Sequence, residues 1–146
     1  MTNNNYETPQ SFFKILDDEF HFTLDVCALP ETAKCERFFT MEIDGLKQDW
    51  TSNICWMNPP YGRGVNVYKW VEKAYNASLV GSIVVALLRA STDTKWFHEF
   101  CLKAFEIRFI KDRLHFNGRA NHANIVVVFR QSHRNYPLIS SIGNGR

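Results

Sequence analysis

NICWMNPPYGRGVNVYKWVEKAYNASLVGSIVVALL, residues 53–88, decides the fold. Asn53 to Met57 is strand-like and runs directly into Asn58-Pro59-Pro60-Tyr61-Gly62, where two prolines forbid regular structure and force a turn. Val67, Trp70, Val71, Ala74 and Ser78 then recur at i, i+3, i+4, i+7 and i+11, with Lys69, Glu72 and Lys73 between them, the pattern of an amphipathic helix. Ser82 to Leu88 is a continuous apolar, β-branched run, as expected of a strand covered on both faces.

Working outward from this strand, turn, helix and strand, the same alternation continues. Toward the N-terminus, Thr8 reads as a helix N-cap with Pro9 at the first helical position, and Phe12, Phe13, Leu16 and Phe20 predict a short helix over about residues 9–19. His21 to Cys27 reads as a strand bounded by Leu29-Pro30, followed by a polar helical turn with Ala33 and Cys35. Arg37 to Thr40 is a further short strand candidate, and Asp44-Gly45 marks a turn. Toward the C-terminus, Thr92 to Thr94 offer caps for a helix carrying Trp96, Phe97, Phe100 and Cys101 on one face. Glu106 to Ile110 and Asn124 to Phe129 are the last strand candidates. The fold class is therefore α/β: an open, mostly parallel sheet with helices on both faces, whose ligands gather at the carboxyl ends of the strands.

Size and charge narrow the function. The 146 residues, 45% of them hydrophobic, fit one domain with a real core and leave little room for an appended recognition domain. A net charge of +2 conceals an uneven distribution: residues 1–60 carry four basic and ten acidic residues, whereas residues 61–146 carry thirteen basic and five acidic ones. The two halves suit two unlike ligand surfaces, with a solvated scatter of charge as the plain alternative. Cys27, Cys35, Cys55 and Cys101 contain no C-x-x-C pair and read as reduced core thiols, which points to the cytoplasm and away from a metal site. The histidines add no metal-ligand spacing. With no apolar stretch near the ~20 residues that span a bilayer, and no charged start followed by an apolar run, neither membrane insertion nor secretion is expected.

The strongest chemical signal is Asn58-Pro59-Pro60-Tyr61 placed directly after a hydrophobic strand. A stiff proline loop lets the Asn58 side-chain oxygen and the Pro59 carbonyl converge as two acceptors on one –NH₂ group, while Tyr61 offers a stacking face. Such a site suits a planar amino or amide nitrogen. An ordinary Asn-Pro turn with a tyrosine over the core is the competing reading. Read by residue type alone, Asp25 is either a ligand-binding strand-end carboxylate or a helix cap, Asp44 a turn residue, and Cys27 core packing.

In order along the chain, Thr8-Pro9 with Phe12, Leu24-Asp25-Val26-Cys27-Ala28, Ala33-Lys34-Cys35, Phe39-Thr40, Asp44-Gly45-Leu46, Trp50, Trp56 to Gly62, Thr92-Asp93-Thr94, Trp96-Phe97-His98, Arg113 to Phe116 and Ile125 to Phe129 resemble the small phage-type DNA N-6-adenine methyltransferases, the Dam family, over roughly residues 6–130. The resemblance implies a Rossmann-like methyltransferase fold with an antiparallel last strand, a catalytic domain over residues 1–130 and a flexible C-terminal tail over 131–146. It also implies S-adenosylmethionine as cofactor and DNA as substrate. Carried over residue by residue, Asn58, Pro59, Pro60 and Tyr61 are the catalytic motif. Asp25 and Cys27 lie beside the methionine part of the cofactor, joined by Thr8 and Pro9; Asp44 and Leu46 lie near its adenosine, and Ala28 and Asn58 are cofactor-binding as well. Where the broader methyltransferase pattern has a glycine-rich turn after the first strand, this chain has Ala28-Leu29-Pro30.

The implied reaction is direct methyl transfer to adenine N6, with Asn58 and the Pro59 carbonyl holding the two amino protons and Tyr61 stacking on an extruded base. It needs no covalent nucleophile and no metal. None of the four cysteines follows a proline, as the nucleophile for cytosine C5 methylation typically does. Arg63, Arg89, Lys111, Arg113, His115 and Arg119 are candidate phosphate contacts, each with solvated surface charge as its alternative. Two other readings stay open: the same chemistry on RNA adenine or a protein glutamine amide, and a noncatalytic nucleic-acid-binding module that retains the fold.

Overall fold

Residues 7–120 and 122–146 are described by a computed structural model; the N-terminal stretch 1–6, part of the region read for a secretion signal, lies outside the described residues. In chain order the elements are helix α1 (Gln10–Phe20), strand β1 (Leu24–Asp25), β2 (Ile54–Met57), α2 (Val67–Leu79), β3 (Ile83–Arg89), α3 (Lys95–Glu99), β4 (Glu106–Lys111), β5 (Asn124–Phe129) and β6 (Leu138–Gly143). The strands form one sheet in the order β1-β2-β3-β5-β4-β6. Pairs β1–β2, β2–β3 and β4–β6 are parallel, and β5 runs antiparallel to both of its neighbours.

The two-residue period of the central strands makes the layers. Cys55, Met57, Val84, Ala86, Leu88, Ile125, Val127 and Phe129 face one side, where they pack with Trp70, Val71 and Ala74 of α2 and Trp96 and Phe97 of α3. Trp56, Val85, Leu87, Val126 and Val128 face the other, under Phe12, Phe13, Leu16 and Phe20 of α1. Helices on both faces of a mostly parallel sheet are the architecture expected from the sequence. Trp70, Trp96 and Phe97 are buried in that core, as their helical spacing indicated.

The differences from expectation are local and have physical causes. Pro9 occupies the N-cap of α1 rather than its first turn: its carbonyl accepts from the N–H groups of Phe12 and Phe13 at 3.1 and 3.0 Å, and no side chain caps the helix. β1 is shorter than His21–Cys27 because His21 closes α1 in a left-handed conformation (φ 57°) and the Phe22 N–H turns back to Asp17 Oδ1. No helical turn forms around Ala33 and Cys35, and the strand expected at Arg37–Thr40 is a single bridge between Phe38 and Asp25. Asn124–Phe129 is antiparallel as expected of the last strand, but a further strand follows it. The expected tail carries β6, an edge strand parallel to β4 and fastened by Ser140 Oγ to Glu106 Oε2 at 2.8 Å. Its side chains are largely exposed, so it lacks the apolar pattern that reveals buried strands.

Gly45 begins a 3₁₀ turn, Gly45–Lys47, that lies against the end of β1. A Cβ there would sit 2.1 Å from the Val26 carbonyl oxygen, which is backbone and cannot swing aside. Gly45→Ala is therefore expected to destabilise the fold by about 2 kcal/mol or more, the scale of overpacking in a buried site. Urea unfolding measures the loss; a variant as stable as the wild type would show that the β1 end relaxes freely.

Candidate active site

Three parallel strands end at one edge. The register pairs Asp25 with Trp56 and Met57 with Ala86, so that Asp25, Asn58 and Arg89 stand successively where β1, β2 and β3 give way to loops. Thr8, Asp25, Cys27, Ala28 and Asn58 line one solvent-open pocket there. Glu7, Leu29, Thr32, Lys34, Trp56 and Asn117 complete its wall.

The Asp25 carboxylate is the electrostatic centre of this pocket. It is only 2% exposed, and its oxygens accept the backbone N–H of Cys27 at 3.2 Å and of Lys34 at 2.9 Å. Burial is the largest influence on it and pushes its pKa up to about 6, against the lowering effect of those two hydrogen bonds and of the Lys34 charge. Burial also pushes the Cys27 and Cys35 thiols up to about 12, with Asp25 adding to the shift, so both stay protonated at neutral pH and are poor nucleophiles.

The wall opposite is held by Lys34. Its side chain is 8% exposed, and Nζ donates to Gln10 Oε1 at 3.1 Å and pairs with Glu7 Oε1 at 3.7 Å, bracketing Thr8 and Pro9. Asn58 Nδ2 donates to Thr8 Oγ1 at 3.1 Å, which joins the N-terminal segment to the end of β2. Pro59 is buried and Pro60 half-buried behind Asn58.

The other expected site residues are placed as follows. Pro9 caps α1 and does not line the pocket. Asp44 and Leu46 lie outside its lining: Asp44 Oδ1 accepts the Leu46 N–H at 3.1 Å and caps the 3₁₀ turn, the role a turn residue would play. Tyr61 stands next to β3, its hydroxyl accepting the Arg89 N–H at 2.9 Å and one ring face covered by the Arg89 guanidinium at 4.3 Å. Arg89 is thus half-buried against the motif. Arg63, Arg113 and Arg119 are exposed. Burial, and after it repulsion from Arg89 and Arg113, holds the His122 pKa below its ordinary value.

Lys34 was quoted from the sequence only within Ala33-Lys34-Cys35 and given no role, and Glu7 and Asn117 were not singled out. Asn117 could have been, because Asn117-Gly118 is a hairpin-turn signature. Both residues have positive φ (52° and 79°), and Phe116 and Arg119 close the turn with reciprocal backbone hydrogen bonds of 2.7 and 2.9 Å. Lys34 and Glu7 carry no such local signal, since a tertiary contact alone brings them to the pocket.

The raised Asp25 pKa has a definite sign in stability. The folded state holds this proton more tightly than the unfolded chain, whose carboxyl titrates near its ordinary 3.8, so the contribution is complete below about pH 4 and is lost as the pH rises through about 6. Between these limits the wild type is expected to lose up to about 3 kcal/mol relative to Asp25→Asn, compared by urea unfolding at each pH. Parallel stability curves for the two proteins would mean that the carboxyl titrates normally.

Among known proteins, the family model for DNA N-6-adenine-methyltransferase (Dam) matches residues 2–142. Similar curated proteins include the DNA N-6-adenine-methyltransferase of Haemophilus phage HP1 (strain HP1c1), 36% identical over 108 residues that cover 72% of this chain and 61% of that protein. Another is the protein of the same name from Escherichia phage T1, 32% identical over 108 residues covering 73% of this chain and 44% of that protein. The matched segments thus span less than two thirds of these relatives' lengths. With the match extending over nearly the whole sequence, the chain belongs to the DNA N-6-adenine-methyltransferase (Dam) family.

Proposed function

We propose that this chain transfers a methyl group from S-adenosylmethionine to the exocyclic N6 of adenine in DNA. One observation carries the reading: Asn58, at the end of β2 and followed by Pro59-Pro60-Tyr61, shares a pocket with the buried carboxylate at the end of the neighbouring parallel strand. This puts an amine-directed acceptor and a cation-directed anion side by side.

The pocket's donor and acceptor set fits the methyl donor. Asp25 and Glu7 are anionic, Lys34 is cationic, and Thr8 adds a hydroxyl, a combination complementary to a zwitterionic amino acid that carries one further positive charge. When bound, the donor supplies an activated methyl group on a sulfonium leaving group. Asp25 and Lys34 are the residues that would hold its charged end, and Asp25 ionises more completely when a cation lies beside it.

Asn58 is the catalytic residue in this reading. The adenine amino nitrogen is a poor nucleophile because its lone pair is delocalised into the ring. Hydrogen bonds from its two protons to the Asn58 side-chain oxygen and the Pro59 carbonyl return electron density to nitrogen and aim it, so that proximity and preorganised dipoles supply the rate enhancement. Tyr61, which Arg89 overlies on one ring face, stacks on the extruded base. Half-buried Arg89 and the exposed Arg63, Arg113 and Arg119 are the candidate phosphate contacts.

Two expected outcomes test this. Incubation with labelled S-adenosylmethionine and DNA, digestion to nucleosides and mass spectrometry is expected to yield N6-methyladenine; label confined to RNA or to protein would overturn the choice of substrate. Asn58→Ala is expected to lower turnover by about 10²–10³, the cost of removing one preorganised polar group, while calorimetric affinity for the donor stays close to wild type. Near-normal turnover would remove Asn58 from the mechanism.

A further inference from the structure

We propose that strand β6 is an interaction surface for a second copy of this chain, the two β6 strands pairing antiparallel about a twofold axis at Ser141. The Leu138 N–H donates to the Phe105 carbonyl at 3.0 Å, and β6 runs parallel to β4 in register from Glu106 beside Leu138 to Lys111 beside Gly143. In such a ladder alternate residues turn both backbone groups to the same neighbour. Leu138, Ser140 and Ile142 therefore face β4, and the N–H and C=O groups of Ile139, Ser141 and Gly143 face outward, where no strand among the described residues takes them. The opposite edge of the sheet is closed: Asp25 of β1 bridges to Phe38, its N–H bonded to the Arg37 carbonyl and its carbonyl to the Phe39 N–H. β6 is thus the one open edge among the described residues, and the strand that a second copy can offer to it is its own β6.

Open edges in natural sheets are commonly kept apart by a lysine, an inward charge, a proline or a bulge. From Asn135 to Gly145 this chain has no charged residue; Pro137 precedes the strand, and the ladder with β4 runs without a bulge. Large apolar side chains collect there instead, with Phe109 44%, Leu138 45% and Ile139 60% exposed. Pairing about Ser141 sets that residue against its own copy and Ile139 against the partner's Gly143, each facing pair exchanging both N–H···O bonds. Opposed residues of an antiparallel pair point to the same face, so Ile139 lies over a glycine whose missing Cβ would meet nothing within 4 Å. No charge is desolvated, and an isologous contact of this kind satisfies both edges and closes at a dimer. The axis is perpendicular to the sheet, so the pockets at the strand ends of the two copies open in opposite directions. One short strand per copy buries little area, which places the dimer among weak contacts, with a Kd of about 1–100 µM.

Sedimentation equilibrium across a concentration range spanning that Kd is expected to show a reversible monomer–dimer equilibrium. Ser141→Pro deletes an outward N–H and leaves the residues bonded to β4 in place, and Ile139→Lys puts a charge on the edge. Each is expected to weaken dimerisation at least about tenfold. Urea unfolding checks that both remain folded; where the proline variant does not, Ile139→Lys, a change at an exposed side chain, decides. Residue-resolved amide hydrogen exchange on the wild type needs no variant. The amides of Ile139, Ser141 and Gly143 are expected to slow at least about tenfold as concentration rises through the Kd, whereas those of Leu138, Ser140 and Ile142 stay constant. A wild type that is monomeric throughout, association that continues past a dimer, a dimer unaffected by a folded variant, or outward amides that exchange alike in dilute and concentrated protein would each overturn the proposal.

Discussion

A buried carboxylate organises the working end of this molecule. Where β1 leaves the sheet, Asp25 spends its two oxygens on the N–H groups of Cys27 and Lys34, nine residues apart from the latter in sequence, and so folds residues 27–34 over the strand ends. Burial of that charge is unfavourable by itself, as its raised pKa records. The arrangement persists because the surrounding backbone is bonded on both sides: the Val26 N–H to Trp56, the Ala28 N–H to Phe39, and the Asp25 N–H to Arg37. From this fixed point Lys34 extends to Glu7 and Gln10, and the N-terminal segment is laid against Asn58. A carboxylate kept in low dielectric at neutral pH is a strong partner for a cation.

The sheet supplies the second requirement, rigidity. Cys55, Trp56 and Met57 of β2 and Val84 to Leu88 of β3 are fully covered, each strand contributing alternate side chains to the two helical layers. On the α1 side, Phe13 meets Trp56 edge-on at 5.2 Å, so the residue two before Asn58 is held by the same helix whose start lies beside Thr8. Asn58 therefore emerges from a strand with little freedom to shift, and a carboxamide aimed from such a base can act without reorganisation. The charge division of the sequence also acquires a place. Asp25 and Glu7 of the acidic half line the pocket, whereas Arg89 of the basic half lies over Tyr61. Lys34 is the exception, a basic residue of the acidic half used to tie the pocket wall together.

Much of the fold was legible because it rests on local periodicity. The strand at 124–129, the core of 83–89 and the helix at 67–79 are set by runs and spacings that have one stable burial, and Trp70 and Trp96 fall in the core for the same reason. β6 was not legible, because an exposed edge strand is defined by backbone pairing to β4 rather than by an apolar pattern. Thr8 shows the other kind of limit: Thr-Pro before an aromatic helix reads as a cap, but a hydroxyl can serve a distant side chain as readily as its own helix, and here it serves Asn58, fifty residues away.

The sequence by itself determined the α/β class, the strand that presents Asn58-Pro59-Pro60-Tyr61, and the family, since each depends on residue types at short, fixed spacing. Tertiary structure alone decided which polar groups share the pocket. It drew in Lys34, Glu7 and Asn117, placed Asp44 and Leu46 in a turn outside the lining, and set Arg89 on the face of Tyr61. The physical reason is that periodicity records which face of an element is buried, whereas the partner of a buried polar group is fixed only when separate segments are packed and each donor must find an acceptor within hydrogen-bond reach.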